Sequence, residues 1–148
     1  MDICIASIKK GSGESDFASA LKNYSKRIGH YAAVSTPVYP TEAALFESIS
    51  RHRSRTPRYL VLLDSRGQLL TSEQLAEWVG KQRDYGRQSI VFAIGPADGW
   101  SEEARKRADL MLSLGPMTLP HELARLVLSE QLYRAFTILA GHPYHTGH

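Results

Sequence analysis

Two runs, Tyr59-Leu-Val-Leu-Leu-Asp64 and Ser89-Ile-Val-Phe-Ala-Ile94, are apolar at almost every position. Neither shows the polar–apolar alternation of a sheet with one wet face. A strand of this kind is buried on both sides, which demands helices above and below a parallel sheet. The rest of the chain supplies them. Further strands are expected over residues 2–8, 31–39 (weakened by Pro37) and 109–114. Helices are expected between and after them. Phe17, Leu21, Tyr24 and Ile28 recur at helical spacing behind an Asp16 cap and stop near Gly29. Leu45, Phe46 and Ile49 follow a Thr41 cap. Leu75, Trp78 and Val79 follow the capping-box pattern Thr71-Ser-Glu-Gln74 and stop near Gly86. Ser101 starts a short basic helix to about Arg107. A long apolar helix covers 122–140, with Thr118 as its expected cap and Pro120 in its first turn. Strands alternating with helices predict an α/β domain with a parallel sheet of about five or six strands and helices on both faces.

At 148 residues, 43% hydrophobic and 22% charged, the chain is the size and composition of one globular domain, taken as 1–148. No apolar run spans a bilayer and no signal peptide opens the sequence, so no membrane association and a cytoplasmic location are expected. A lone cysteine, Cys4, suits a reducing compartment and reads as a buried residue of the first strand. Net charge is +3, and sixteen of the 18 lysines and arginines precede residue 108, leaving Arg125 and Arg134 in a charge-poor last third. That third is expected to bury a face against a second subunit.

Ligands of parallel α/β sheets sit beyond the carboxyl ends of the strands. Three loops qualify: the one after Leu63, the loop Gly95-Pro-Ala-Asp-Gly-Trp100, and the joint Leu114-Gly-Pro-Met-Thr-Leu-Pro-His121. The loop Lys9-Lys-Gly-Ser-Gly-Glu14 lacks the spacing that cradles a dinucleotide phosphate, though Lys9 and Lys10 can touch phosphate. The densest basic run, Arg51-His-Arg-Ser-Arg-Thr-Pro-Arg58, reads as a solvated helix end or as a phosphate contact through residues such as Arg51 and Arg53. Pattern alone would suggest a flavodoxin-like nucleotide binder.

A set of short motifs is more specific. Phe92-Ala-Ile-Gly95, Asp98-Gly-Trp-Ser101, Leu112-Ser-Leu114, Met117-Thr-Leu-Pro-His121, Ala124-Arg125, Glu130-Gln-Leu-Tyr-Arg-Ala135 and His142-Pro-Tyr-His145 stand in this order along the chain. Together they resemble the bacterial ribosomal RNA large-subunit methyltransferase H family, minimal members of the SPOUT (α/β-knot) superfamily. The resemblance covers the whole length. It implies a C-terminal trefoil knot, a homodimer, and S-adenosylmethionine as cofactor. It also implies methylation of N3 of a pseudouridine in 23S rRNA of the ribosome. Carried over by position, the cofactor residues are Leu63, Gly95, Leu114, Gly115, Pro116, Met117, Thr118 and Leu119. Two departures stand out: Pro96 occupies a position where the family often has a second glycine, and Thr146-Gly-His148 follows the tail where the family usually has a basic residue. A non-catalytic ribosome-binding factor of the same fold is the remaining alternative.

Methyl transfer from a sulfonium is an in-line displacement governed by positioning and requires no metal. The acceptor N3 carries a proton at neutral pH, so a base or a polarising partner helps. His145 and Tyr144 of the tail are the candidates that the resemblance favours. His121, at a helix start, reads rather as a residue bonding the loop backbone. Arg125 and Arg134, with Lys9, Lys10, Arg51 and Arg53, are the candidate RNA contacts. Arg125 and Arg134 can instead pair with Glu122 and Glu130 at helical spacing. His142, His145 and His148 are three residues apart but lack cysteine or acid partners, so no metal centre is expected.

Overall fold

The computed structural model describes residues 1–11, 13, 15–51 and 58–146. Arg53, the core of the basic run, and His148 therefore lie outside the described residues. The strands are β1 (Asp2–Ile8), β2 (Ala33–Ser35), β3 (Val38–Tyr39), β4 (Tyr59–Leu69), β5 (Ser89–Ile94) and β6 (Leu110–Ser113). The helices are α1 (Ala18–Ile28), α2 (Glu42–Arg51), α3 (Ser72–Asp84), α4 (Glu102–Arg107) and α5 (His121–Ala140). The strands form one parallel sheet in the order β2-β1-β5-β4-β6, and β3 also pairs with β1.

The sheet is buried on both faces, as the unbroken apolar runs require. All six residues of β5 are buried. Ile90 and Phe92 point into a core shared with Ile28 of α1, Val79 of α3, and Leu128 and Leu132 of α5. Val91 and Ala93 point the other way, against Leu45 and Phe46 of α2 and Ala104 of α4. This parity is the two-residue period of a strand read on two dry faces. Cys4 is a buried free cysteine of β1. No helix among the described residues is long and apolar enough to cross a membrane.

The predicted caps hold at three helices. Thr71 and Gln74 form the reciprocal capping box of α3, Ser101 Oγ accepts from the Ala104 N–H, and Thr41 Oγ1 accepts from Ala44. Elsewhere the expectations fail. Asp16 does not cap α1: Phe17 holds the N-cap position and no side chain caps the helix, while Ser15 forms the preceding turn, its Oγ accepting from the Phe17 N–H at 3.0 Å and its carbonyl from Ala18 at 3.0 Å. Thr118 does not cap α5, because Pro120 (φ −55°, ψ 145°) occupies the N-cap and no side chain caps the helix. The strand expected over 31–39 is two short pieces. Pro37 has no N–H for the ladder and offers only its carbonyl, which accepts from Ser7 at 3.1 Å.

β4 was expected to end at Asp64 but continues to Leu69. Its register against β6 jumps between Leu63, opposite Leu112, and Gln68, also opposite Leu112. The second half of β4 passes so close to β6 that a Cβ on Gly67 would lie 2.6 Å from the Met111 backbone. Only glycine permits that approach. It brings residues 64–66 into the rim of the cavity described next.

Candidate active site

The carboxyl ends of β4, β5 and β6 open into a cavity of about 410 Å³. Its walls come from all three loops singled out in the sequence: Leu63, Gly95, and Leu114 with Gly115, Met117, Thr118 and Leu119. Seven of the eight candidate cofactor residues therefore line one space; Pro116 does not. Parallel strands deliver every βα loop to the same edge, which is why residues 63, 95 and 114 meet.

Two glycines shape this space. A Cβ on Gly95 would sit 2.7 Å from the Trp100 ring, so Gly95 is needed for the indole to pack beside the strand end. Gly115 has φ +131°, a conformation that L side chains rarely adopt, with nothing within 4 Å of its missing Cβ. The joint thus turns its backbone toward open space. Ser113 secures the turn: its Oγ accepts from the Gly115 N–H at 3.1 Å and donates to the Gly115 carbonyl at 3.0 Å. Met117 is 79% exposed at the rim.

Trp100 is not among the candidate site residues, although it ends the Gly95–Trp100 loop. Its ring is buried, and its Nε1 donates to the Leu63 carbonyl at 3.0 Å, tying the β5 loop to the end of β4. Asp64 and Arg105 also line the cavity. The Asp64 carboxylate accepts from the Arg66 N–H at 2.9 Å and from Arg105 Nε at 3.3 Å. Burial pushes the Asp64 carboxyl up, but the hydrogen bonds and charge of Arg66 outweigh it and hold the group below its usual value. The sequence signal for Trp100 and Arg105 was weak because an indole or a guanidinium near a loop is compatible with many roles.

His121 lines the cavity from the first turn of α5. Burial drives its imidazole below its usual value, against the opposing charge of Glu122 and a hydrogen bond to the Ile94 backbone. Its Nε2 is buried without a hydrogen-bond partner among the described residues. The bond to Ile94 agrees with the reading of His121 as a residue that holds the loop backbone.

Tyr144 and His145 do not line this cavity. The tail folds back along α5. Tyr144 Oη donates to Glu130 Oε1 at 3.0 Å, and its ring meets Tyr133 edge-on at 4.7 Å. His145 Nδ1 lies 2.9 Å from Arg134 Nη1, and Nε2 lies 2.7 Å from Glu73 Oε1. Glu130 is nine residues beyond His121 on α5, about 14 Å along the helix axis. Burial raises the Tyr144 phenol well above its ordinary value, with the hydrogen bonds to Tyr24 and Glu130 adding to the shift. A phenol held protonated in this way is a donor, not a base.

The basic candidates scatter. Arg134 is held by Glu130, Arg51 pairs with Glu47 on α2, and Lys10 is exposed. Lys9 and Arg125 come together, both paired with Glu122. His142 Nδ1 bonds Tyr31 Oη while His145 bonds Glu73, so these histidines do not converge. Among the described residues no group of three or more His, Cys, Asp or Glu is placed to hold a metal.

Comparison with known proteins adds an independent line. The family described as "Predicted SPOUT methyltransferase" matches residues 1–145. The ribosomal RNA large subunit methyltransferase H of Koribacter versatilis (strain Ellin345) is 50% identical over 135 residues, 91% of this chain and 92% of that protein. The protein of the same name from Rhodospirillum centenum (strain ATCC 51521 / SW) is 59% identical over 86 residues, 58% of this chain and 57% of that one. A probable methylase family protein from Haemophilus influenzae Rd KW20 superposes with a TM-score of 0.59 at 17% identity, covering 94% of this chain and 66% of that one. The SpoU methyltransferase AviRb from Streptomyces viridochromogenes, solved in complex with AdoMet, gives 0.53 at 14% identity, covering 90% of this chain and 57% of that one. These two share the fold. With a family match over nearly its whole length and a parallel sheet whose β4, β5 and β6 loops enclose one cavity, the chain belongs to the SPOUT methyltransferase family.

Proposed function

We propose that the chain is one S-adenosylmethionine-dependent methyltransferase domain, knotted at its C-terminal part. In this reading it works as a cytoplasmic homodimer and methylates N3 of a pseudouridine in 23S rRNA of assembled ribosomes. The observation that carries the reading is the convergence of Leu63, Gly95, Leu114, Gly115, Met117, Thr118 and Leu119 on one cavity. The named relatives support rRNA as the substrate class.

The cavity suits the cofactor in size and in chemistry. Small-ligand sites are concave, mostly apolar, and carry a few placed polar groups. Here leucines and Met117 offer apolar walls for an adenine ring. The open space beside Gly115 lets a ligand approach backbone N–H and C=O groups. Asp64, kept ionised by Arg66, is suited to accept from ribose hydroxyls. S-adenosylmethionine would supply a methyl group on a positively charged sulfur, which passes to the acceptor nitrogen as the nitrogen's proton leaves.

The chain's own residues supply position. Trp100 locks two of the three walls together, and the Ser113 hydroxyl fixes the Gly115 turn. His121, kept neutral by burial, steadies the Ile94 carbonyl rather than adding a positive charge beside a cationic cofactor. Tyr144 and His145 of one subunit lie far down α5 from their own cavity. Their role is therefore proposed to be exerted across the dimer, with the partner's tail closing the site. His145 receives the acceptor proton, and Tyr144 donates a hydrogen bond.

Calorimetry with S-adenosylmethionine and S-adenosylhomocysteine tests the cofactor. Methyl transfer to assembled ribosomes and to free rRNA, followed by mass spectrometry of the nucleosides, tests the substrate. No binding at millimolar cofactor, or an unmodified pseudouridine, would sink the reading.

A further inference from the structure

A second cavity, about 500 Å³, lies in the groove between α1 and α5. One stripe of α1 (Ala18, Leu21, Lys22, Ser25) and one stripe of α5 (Glu122, Arg125, Ser129) face each other across it. Lys9, Gly11 and Gly13 of the β1 loop close one end, with Thr36 and Val38 beside them. The first turn of α5 is the partition between the two cavities. His121 and Ala124 face the methyl-donor side, and Glu122 and Arg125 face this one.

The charge here is unbalanced. Among the described lining residues, Lys9, Lys22 and Arg125 oppose a single carboxylate, Glu122. Lys9 Nζ is 3.3 Å from Glu122 Oε1, and Arg125 Nη1 is 3.6 Å from Oε2. Arg125 spends a further donor on the Thr36 carbonyl at 3.3 Å, yet its Nε is buried without a partner. Lys22 has no ion pair with a described residue. Glu122 Oε2 is likewise buried without a hydrogen-bond partner, so the cluster is loosely paired and leaves one guanidinium N–H of Arg125 available to an anionic ligand. Ala18, Leu21 and Val38 add apolar surface to the lining, so the groove combines cations with a surface on which a sugar or base can lie.

We infer that this groove between α1 and α5 is a phosphodiester site for the acceptor RNA strand, gripped by Lys9, Lys22 and Arg125 next to the methyl-donor cavity. The inference rests on the methyltransferase reading for the identity of the strand. Sharing one helical turn with the cofactor side places a held phosphate beside the base to be methylated.

The test is binding of 23S rRNA fragments and of large ribosomal subunits by Lys22→Gln and Arg125→Gln, with Lys26→Gln, on α1 but outside the groove, as control. The measurement needs no cofactor. Each groove variant should weaken binding several-fold at 150 mM salt and reduce the slope of log affinity on log salt by about one, the signature of one lost phosphate contact. Cofactor affinity measured by calorimetry should stay as in the parent protein, and circular dichroism should show an intact fold. Unchanged RNA affinity and slope in both groove variants would overturn the inference, as would an equal loss in Lys26→Gln. A change of oligomeric state on sedimentation with RNA affinity intact would assign the groove to a second copy of the chain and equally overturn it. Failure of the parent protein to bind S-adenosylmethionine, with the groove effects present, would instead remove the methyltransferase reading and leave the anion site standing.

Discussion

The indole N–H of Trp100 donates to the Leu63 carbonyl across 3.0 Å, and the face of the same ring lies where any side chain on Gly95 would have to go. One residue thereby sets the distance between two walls of the candidate methyl-donor cavity. Trp100→Phe keeps the ring and removes the donor. Leaving the Leu63 carbonyl short of a partner costs about 1–2 kcal/mol. The expected result is a melting temperature lower by about 3–6 °C and cofactor affinity weaker by about fivefold. Unchanged affinity would show that the tie is irrelevant to the pocket.

Gly115 has room around it but an unfavourable φ, so substitution acts through the backbone rather than by collision. Gly115→Val should turn the joint away from its present path and weaken cofactor binding by at least about tenfold. The turn is at the surface of the cavity, so the melting temperature should move little. Parental affinity in a folded variant would contradict the assignment of this joint to the cofactor.

His145→Ala should lower turnover by about 100-fold or more, the usual worth of a general base, while cofactor affinity measured by calorimetry stays unchanged. Turnover equal to the parent's would leave the tail as a strap that ties α5 to α3 through Glu73.

Mixing the last two variants tests the dimer. A Gly115→Val subunit lacks a cofactor cavity but keeps its tail, and a His145→Ala subunit has the reverse defect. If the tail acts across subunits, mixed dimers regain methyl transfer above either variant alone. Activity no greater than that of the parents of the mixture would show that each tail serves its own chain.

His121 predicts a pH dependence of stability. Its folded value is depressed by burial from an ordinary 6.5. Between those two values the unfolded chain carries more protons than the folded one. Stability therefore increases as pH rises through that window and declines as pH falls below 6.5. His121→Gln should flatten this part of the curve in urea melts at successive pH values. An identical slope in the variant would mean that the imidazole titrates as if in water.

Much of this architecture is written locally. The runs at 59–64 and 89–94 are apolar on both parities, so two dry faces and a parallel sheet follow from them alone. Thr71, Gln74, Ser101 and Thr41 act within four residues of themselves, and their caps could be read directly. Because parallel strands bring their carboxyl ends to one edge, even the grouping of Leu63, Gly95 and the 114–119 joint is legible in the sequence. What the sequence could not carry was set by contacts between distant segments. The continuation of β4 to Leu69 depends on Gly67 lying against Met111, a pairing invisible in the polar run Asp64-Ser-Arg-Gly-Gln68. The placing of Phe17 rather than Asp16 at the N-cap of α1 and the displacement of Thr118 by Pro120 are small shifts of backbone path, settled by how each loop leaves its strand. The tail was read for its motif, and only the folded chain shows Tyr144 and His145 spent on Glu130, Arg134 and Glu73. Periodicity and capping are properties of neighbours along the chain. Charge pairing and close approach are properties of neighbours in space, and those appear only when the sheet and α5 bring them together.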